Sequence, residues 1–259
     1  MPTVTRDGVE LYYETAGTGE TVAFVNDVGY GAWLWGWQHG PLARGHETLV
    51  WDLRGTGRSD APQGPYDVDT LAADFEAVLG AAGVDRAHVV GAGLGGMVAL
   101  RHVAISGRTR TLALFCTAGS GNLVKEPALR ALHPQSANRD RLSESLAGAL
   151  SPAFREGRPD LVEQICDWRV ADDANPEAVR AQMSAALSFE ARELYEVDQP
   201  ALVAHGLQDP VVPVEAGQQL SEDLPGATFA AVEGRHLCLV EHAGAVTDRL
   251  VAHLEEHDL

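Results

Sequence analysis

His88-Val89-Val90-Gly91-Ala92-Gly93-Leu94-Gly95-Gly96-Met97-Val98-Ala99-Leu100 reads as a short apolar strand, a tight glycine turn and the start of a helix. Two motifs compete for it. One is G-x-S-x-G, in which a strained strand-to-helix turn lifts a serine hydroxyl above the end of a sheet. Gly91 and Gly95 supply its flanks, but the central residue is Gly93, which has no side chain to react. The other is G-x-G-x-x-G, a dinucleotide turn, which needs a carboxylate about 20 residues on at the end of the next strand. That strand ends Phe115-Cys116-Thr117, without an acid, and several strands already precede the motif. The first reading stands, with Gly93 in the nucleophile's place.

Working outward, Glu10–Glu14, Thr21–Val25, Glu47–Trp51, His88–Val90, Thr111–Cys116, Ala201–Ala204 and Thr228–Val232 have the short apolar or β-branched pattern of strands. Thr70–Leu79 has helical spacing, with Thr70 or Asp69 as its N-cap. Alternating strands and helices predict an α/β fold with a mostly parallel sheet covered on both faces. Between residues 121 and 197 the alternation stops. Leu142–Leu150, Leu161–Trp168 and Pro176–Leu187 are helical in pattern there. The expected organisation is a core of residues 1–120 and 198–259, with residues 121–197 inserted as a helical lid.

Composition narrows the classes. With 37 acidic against 19 basic residues the net charge is −18, and Lys125 is the one lysine. Such a surface disfavours nucleic acid, whose phosphates need basic partners, and anionic membranes. Excess carboxylate of this kind suits a halophilic-like, salt-rich interior, where self-repulsion is screened. No apolar run reaches the roughly 18–20 residues of a membrane span. Residues 1–6 lack a secretory pattern, so a cytoplasmic protein is expected. Cys116, Cys166 and Cys238 form no disulfide framework; they read as small buried residues, with Cys116 and Cys238 the alternative nucleophiles.

The remaining motifs fall in one order. Asn26-Asp27-Val28-Gly29 follows a strand, then Trp35-Gly36-Trp37-Gln38. Asp52-Leu53-Arg54-Gly55-Thr56-Gly57-Arg58-Ser59-Asp60 forms a turn, and Gly64-Pro65-Tyr66 leads to the next helix. Asp209 lies in Gly206-Leu207-Gln208-Asp209-Pro210-Val211-Val212-Pro213, and His236 in Glu233-Gly234-Arg235-His236. In this order they resemble the α/β-hydrolase superfamily over nearly the whole chain, and its 3-oxoadipate enol-lactonase-like branch in particular. The resemblance implies an eight-stranded sheet and a small organic substrate, with no cofactor. It makes His236 the base, Asp209 its orienting acid, and the N–H groups of Val28 and Leu94 the oxyanion donors. No metal is expected, since no histidine pair has a ligand context and HExxH is absent.

Glycine at position 93 forms no acyl-enzyme, which leaves three readings. His236 activates water directly in hydrolysis of a small ester or lactone. His236 moves substrate protons in isomerase or lyase chemistry. Or the pocket binds a ligand without catalysis. Asp27 bears on the choice, because neighbouring sequences of the branch usually carry an uncharged residue there. Pointing outward it is one more surface acid; pointing inward it opposes an oxyanion and is a candidate acid or base beside His236. Trp33, Trp35 and Trp168 read either as packing residues or as an apolar pocket wall.

Overall fold

The computed structural model describes residues 2–135 and 138–257. Eight strands, β1 (Thr3–Arg6), β2 (Val9–Gly17), β3 (Thr21–Val25), β4 (Glu47–Trp51), β5 (Ala87–Ala92), β6 (Thr109–Phe115), β7 (Ala201–Gly206) and β8 (Thr228–Val232), form one sheet in the order 1-2-4-3-5-6-7-8. Strands β1–β2 and β2–β4 pair antiparallel and all the others parallel. The mostly parallel eight-stranded sheet is as expected. Strand β1 escapes the sequence pattern because its residues alternate between exposed and half-buried at the sheet's edge.

Strands β3, β5 and β7 are buried at every position, so they read as apolar runs without alternation. The helix Val68–Ala81 starts earlier than its apolar spacing suggested. Its cap is Asp67, whose side chain accepts from Thr70 N–H, rather than Asp69 or Thr70. Between β6 and β7 lie the helices Glu126–Leu132, Arg139–Ala149, Pro152–Gly157, Pro159–Asp172 and Pro176–Ser188. Four of them carry proline in their first turn, where its missing N–H costs nothing, and Asn138, Ser151 and Asn175 cap three of them.

Two features hold the turn after β4. Gln182, on the buried stripe of Pro176–Ser188, donates from Nε2 to Arg54 O and Thr56 Oγ1, each at 2.9 Å. Asp74 is fully buried and takes Arg54 through two bonds, Nε to Oδ2 and Nη2 to Oδ1, both 2.6 Å. A forked pair taken out of water is costly to break on one side. Asp74→Ala, which strands the Arg54 guanidinium, is expected to cost about 3–5 kcal/mol in urea unfolding. A loss under about 1 kcal/mol would show that the pair does not hold this turn.

Candidate active site

Parallel pairing brings the ends of β3, β5, β7 and β8 to one edge of the sheet. Val25 lies beside Gly91, Phe115 beside Ala92 and Ala204, and Gly206 beside Val232. The loops leaving those ends carry Asp27, Gly93, Asp209 and His236, residues up to 209 positions apart in sequence. This is where ligands bind in open α/β sheets.

Gly93 opens the helix Leu94–Ile105 at φ 49°, ψ −115°, a left-handed conformation that favours glycine. Gly95 permits the helix to press on β3: a Cβ there would lie 2.1 Å from Val25 O. The backbone therefore keeps the tight elbow shape. With no side chain at 93, the helix N-terminus is capped from across the sheet. Asp27 Oδ1 accepts from Leu94 N–H at 2.8 Å and from Val28 N–H at 2.6 Å. The positive end of the helix favours that carboxylate.

Asp27 thus points inward, and its Oδ1 takes both N–H groups expected to serve an oxyanion. Its other oxygen, Oδ2, lies 2.9 Å from His236 Nε2. On the far side of the ring, His236 Nδ1 lies 2.7 Å from Asp209 Oδ2. A ring nitrogen facing an ionised carboxylate must donate, so His236 donates from both sides as an imidazolium. Burial opposes that charge, but the charges and hydrogen bonds of Asp209 and Asp27 outweigh it and raise His236 well above its ordinary 6.5. Burial likewise opposes charge on Asp209. The charge of His236 and hydrogen bonds from His205 and His236 hold it below its ordinary range.

Asp209 is itself fixed. Its Oδ1 accepts from Val211 N–H at 2.8 Å and Val212 N–H at 3.1 Å. His205 Nε2 donates to Val212 O at 2.8 Å and approaches Asp209 Oδ2 at 3.5 Å. Cys116, His205 and Asp209 bring donor atoms within 4.8 Å of one another. Both Asp209 oxygens and His205 Nε2 are engaged in these contacts, which hold Asp209 against His236, while His205 Nδ1 is buried without a hydrogen-bond partner. Cys116 Sγ meets Cys238 Sγ at 3.5 Å in the interior; that contact and burial keep Cys116 a thiol, and neither cysteine borders the cavity.

Over Asp27 and His236 lies a cavity of about 10 Å³, walled by Gly93, Met97, Val124, Leu129, Val212 and neighbours. That is room for about one water. Val124, Leu129 and Ala186 come from the stretch between β6 and β7, which therefore covers the site.

Of the two readings of the tryptophans, packing and pocket wall, the structure shows packing, and the pocket wall is set aside. Trp35 is fully buried against Phe24 and Phe115, with ring centroids at 5.0 and 6.2 Å. Trp33 stacks on Trp168 at 6.1 Å and donates from Nε1 to Asp173 Oδ1 at 2.9 Å. Trp35 thus packs on β3 and β6, Trp33 and Trp168 join the loop after β3 to the helical stretch above it, and none of the three borders the cavity. The sequence reading missed Gln182, whose Oε1 accepts from Gly29 N–H at 2.7 Å and anchors the Asp27 loop. Its signal was a polar residue on the apolar stripe of Ala178, Val179, Ala185 and Ala186. It also missed His133, packed on the Tyr30 ring at 5.0 Å and held neutral by burial.

Asp27, Gly93, Asp209 and His236 thus meet at one edge of the sheet, and comparison with known proteins gives the lineage of the fold that brings them together. Residues 22–249 match the model of the alpha/beta hydrolase family. The chain belongs to that family. It is 28% identical over 257 residues to 3-oxoadipate enol-lactonase 2 of Acinetobacter baylyi, covering 94% of this chain and 92% of that one. The crystal structure of the enol-lactonase from Burkholderia xenovorans superposes with TM-score 0.87 at 25% identity, covering 98% of this chain and all of that one. An N-acyl homoserine lactone degrading enzyme superposes with TM-score 0.83 at 27% identity, over 97% of this chain and 99% of that one. This alpha/beta hydrolase resembles the enol-lactonase branch. Among the described residues no helix is long and apolar enough to cross a membrane.

Proposed function

We propose that this family member hydrolyses a small ester or lactone with no seryl intermediate, His236, oriented by Asp209, activating water once Nε2 has given up the proton it shares with Asp27. The observation that carries the reading is the 2.7 Å bond from His236 Nδ1 to Asp209. It fixes the ring so that Nε2 faces the cavity side, next to the elbow turn and its two backbone donors. The names of the relatives, an enol-lactonase and a lactone-degrading enzyme, support the substrate class. The apolar wall supports a small, largely uncharged substrate. Residues 121–197 serve as the lid, since the present cavity holds only about one water and a substrate needs the cover raised. Three free cysteines and an acidic surface support a cytoplasmic, salt-rich setting.

Hydrolysis of p-nitrophenyl esters and small lactones tests this. His236→Ala is expected to lower the rate about 10²–10⁴-fold. Activity surviving that change overturns the reading.

One observation favours a second reading. Asp27 Oδ1 holds both backbone donors, so the site as it stands pairs a carboxylate with an imidazolium and leaves no open oxyanion hole. Such a pair suits proton transfer on carbon, as in an isomerase or lyase. Solvent deuterium entering a recovered substrate without hydrolysis would select it.

A further inference from the structure

The oxygen held by an oxyanion hole is the one on which negative charge develops, so the two backbone donors identify the reacting carbonyl. In this protein that oxygen belongs to the chain itself. Val28 N–H and Leu94 N–H converge on Asp27 Oδ1 at 2.6 and 2.8 Å. No side chain at position 93 coexists with this arrangement, since a Cβ would lie 2.0 Å from Oδ1 and 2.2 Å from Cγ. The second carboxylate oxygen, Oδ2, sits on the His236 side at 2.9 Å, and Asp27 and His236 both border the cavity. One oxygen is fixed in the hole, the other beside the acid–base group, on the floor of a small apolar cavity.

We infer that Asp27 is the nucleophile, its carboxylate standing in for the absent serine and carrying the acyl group as a mixed anhydride. The inference rests on the ester hydrolase reading above and adds the covalent step and the substrate class.

In the first step Oδ2 attacks the acyl carbon of the ester and the bond to the leaving oxygen breaks. The proton on His236 Nε2 goes to that oxygen, giving a neutral alcohol and a neutral imidazole. Acylated Asp27 carries no charge, so one of the two carboxylates that held the proton on His236 is gone and Nε2 is free to act as a base. In the second step His236 takes a proton from water as the water oxygen attacks Asp27 Cγ. Charge collects on Oδ1, between the two N–H donors. Collapse expels the substrate carboxylate and returns the Asp27 carboxylate and the His236 imidazolium, with one proton released to solvent. The sum is ester plus water giving acid plus alcohol.

The hole serves the second step and is filled during the first, and this selects the substrate. A carboxylate, whose acid has an ordinary value near 4, is expelled far more readily than an alkoxide. The first tetrahedral adduct goes forward only when the substrate's leaving oxygen is itself a good leaving group. The substrate class is therefore an aryl or enol ester or lactone, and simple alkyl esters are not turned over.

The test is repeated turnover of p-nitrophenyl acetate in ¹⁸O-water by the full chain, followed by fragmentation of the peptide that contains Asp27. Heavy oxygen in the Asp27 carboxylate, dependent on turnover and absent without substrate, is the expected result. Turnover with an unlabelled Asp27 overturns the inference and leaves hydrolysis by direct water attack. No turnover of any activated ester removes the hydrolase reading and the inference with it. Asp27→Asn separates nucleophile from plug on a protein that keeps its shape and its backbone contacts. A nucleophile predicts a loss of about 10³-fold or more, with folding checked by circular dichroism. An unchanged or faster rate shows that Asp27 only obstructs the hole, and overturns the inference.

Discussion

Gly93→Ser alone is expected to yield no serine esterase, whereas Gly93→Ser combined with Asp27→Gly yields one. The first half follows from space. A Cβ at position 93 would meet Asp27 Oδ1 at 2.0 Å, Cγ at 2.2 Å and Oδ2 at 2.6 Å, all far inside contact distance. The carboxylate must leave its two N–H donors and His236, or the elbow must shift. Overpacking and a side chain at φ 49° each cost about 1–3 kcal/mol, so the single variant is destabilised and its hydroxyl is misplaced. Removing the Asp27 side chain frees the volume, returns Val28 N–H and Leu94 N–H to a substrate oxygen, and frees Nε2 of a ring still held by Asp209. Asp209 then remains the one carboxylate on His236, the arrangement of an ordinary triad. Relative to Asp27→Gly alone, the double variant is expected to gain about 10³-fold or more in p-nitrophenyl acetate hydrolysis, with an acyl-serine visible by mass spectrometry. A double variant as slow as Asp27→Gly would mean that the site has lost more than its nucleophile.

What made this site legible in sequence was local: a strand, two glycines and a helix fix the elbow whether or not a serine sits in it. Asp209 and His236 were readable only through the resemblance of their settings, Gly206–Pro213 and Glu233–His236, to the family's motifs, and the structure brings them to 2.7 Å. The direction of Asp27 was not local. It is decided by Leu94 N–H, 67 residues away, and by His236, 209 residues away, both needing a carboxylate where the glycine supplies nothing. Gly93 and inward-pointing Asp27 are two sides of one steric fact, which a reading of either position alone misses. For the tryptophans sequence left two readings open, and the structure shows the packing one. Aromatic residues near a functional loop suit a pocket and a seam equally, and the choice turned on Phe24, Phe115 and Asp173, which sequence does not bring near.

Asp209→Asn has an expected effect of similar size and reads out the charge state of His236 directly. An amide presents one acceptor where the carboxylate presents two. Oδ1 now accepts from Val211 and Val212 N–H while Oδ2 accepts from His236 Nδ1–H. Whichever way the amide turns, its NH₂ faces a buried donor, so the ring loses its orientation or the loop loses its support. Activity is expected to fall about 10³–10⁴-fold. Stability responds with a definite sign. His236 is raised in the folded protein, so its contribution is fully present below the unfolded value near 6.5 and is lost as pH rises through the folded value. Asp209 is lowered, so its contribution is present above 3.8 and is lost as pH falls through the folded value. Removing the Asp209 charge leaves Asp27 as the one carboxylate on the imidazolium and brings the folded value of His236 down. The variant should therefore lose stability at a lower pH on the alkaline side than the parent chain, by about 3–5 kcal/mol near neutrality, where the parent pair is intact. Urea titrations at about pH 6, 7.5 and 9 measure this. Parallel curves for parent and variant across that range would mean that Asp209 does not hold the proton on His236. The charge would then rest on Asp27 alone, which would sharpen the case for treating Asp27 and His236 as the reacting pair.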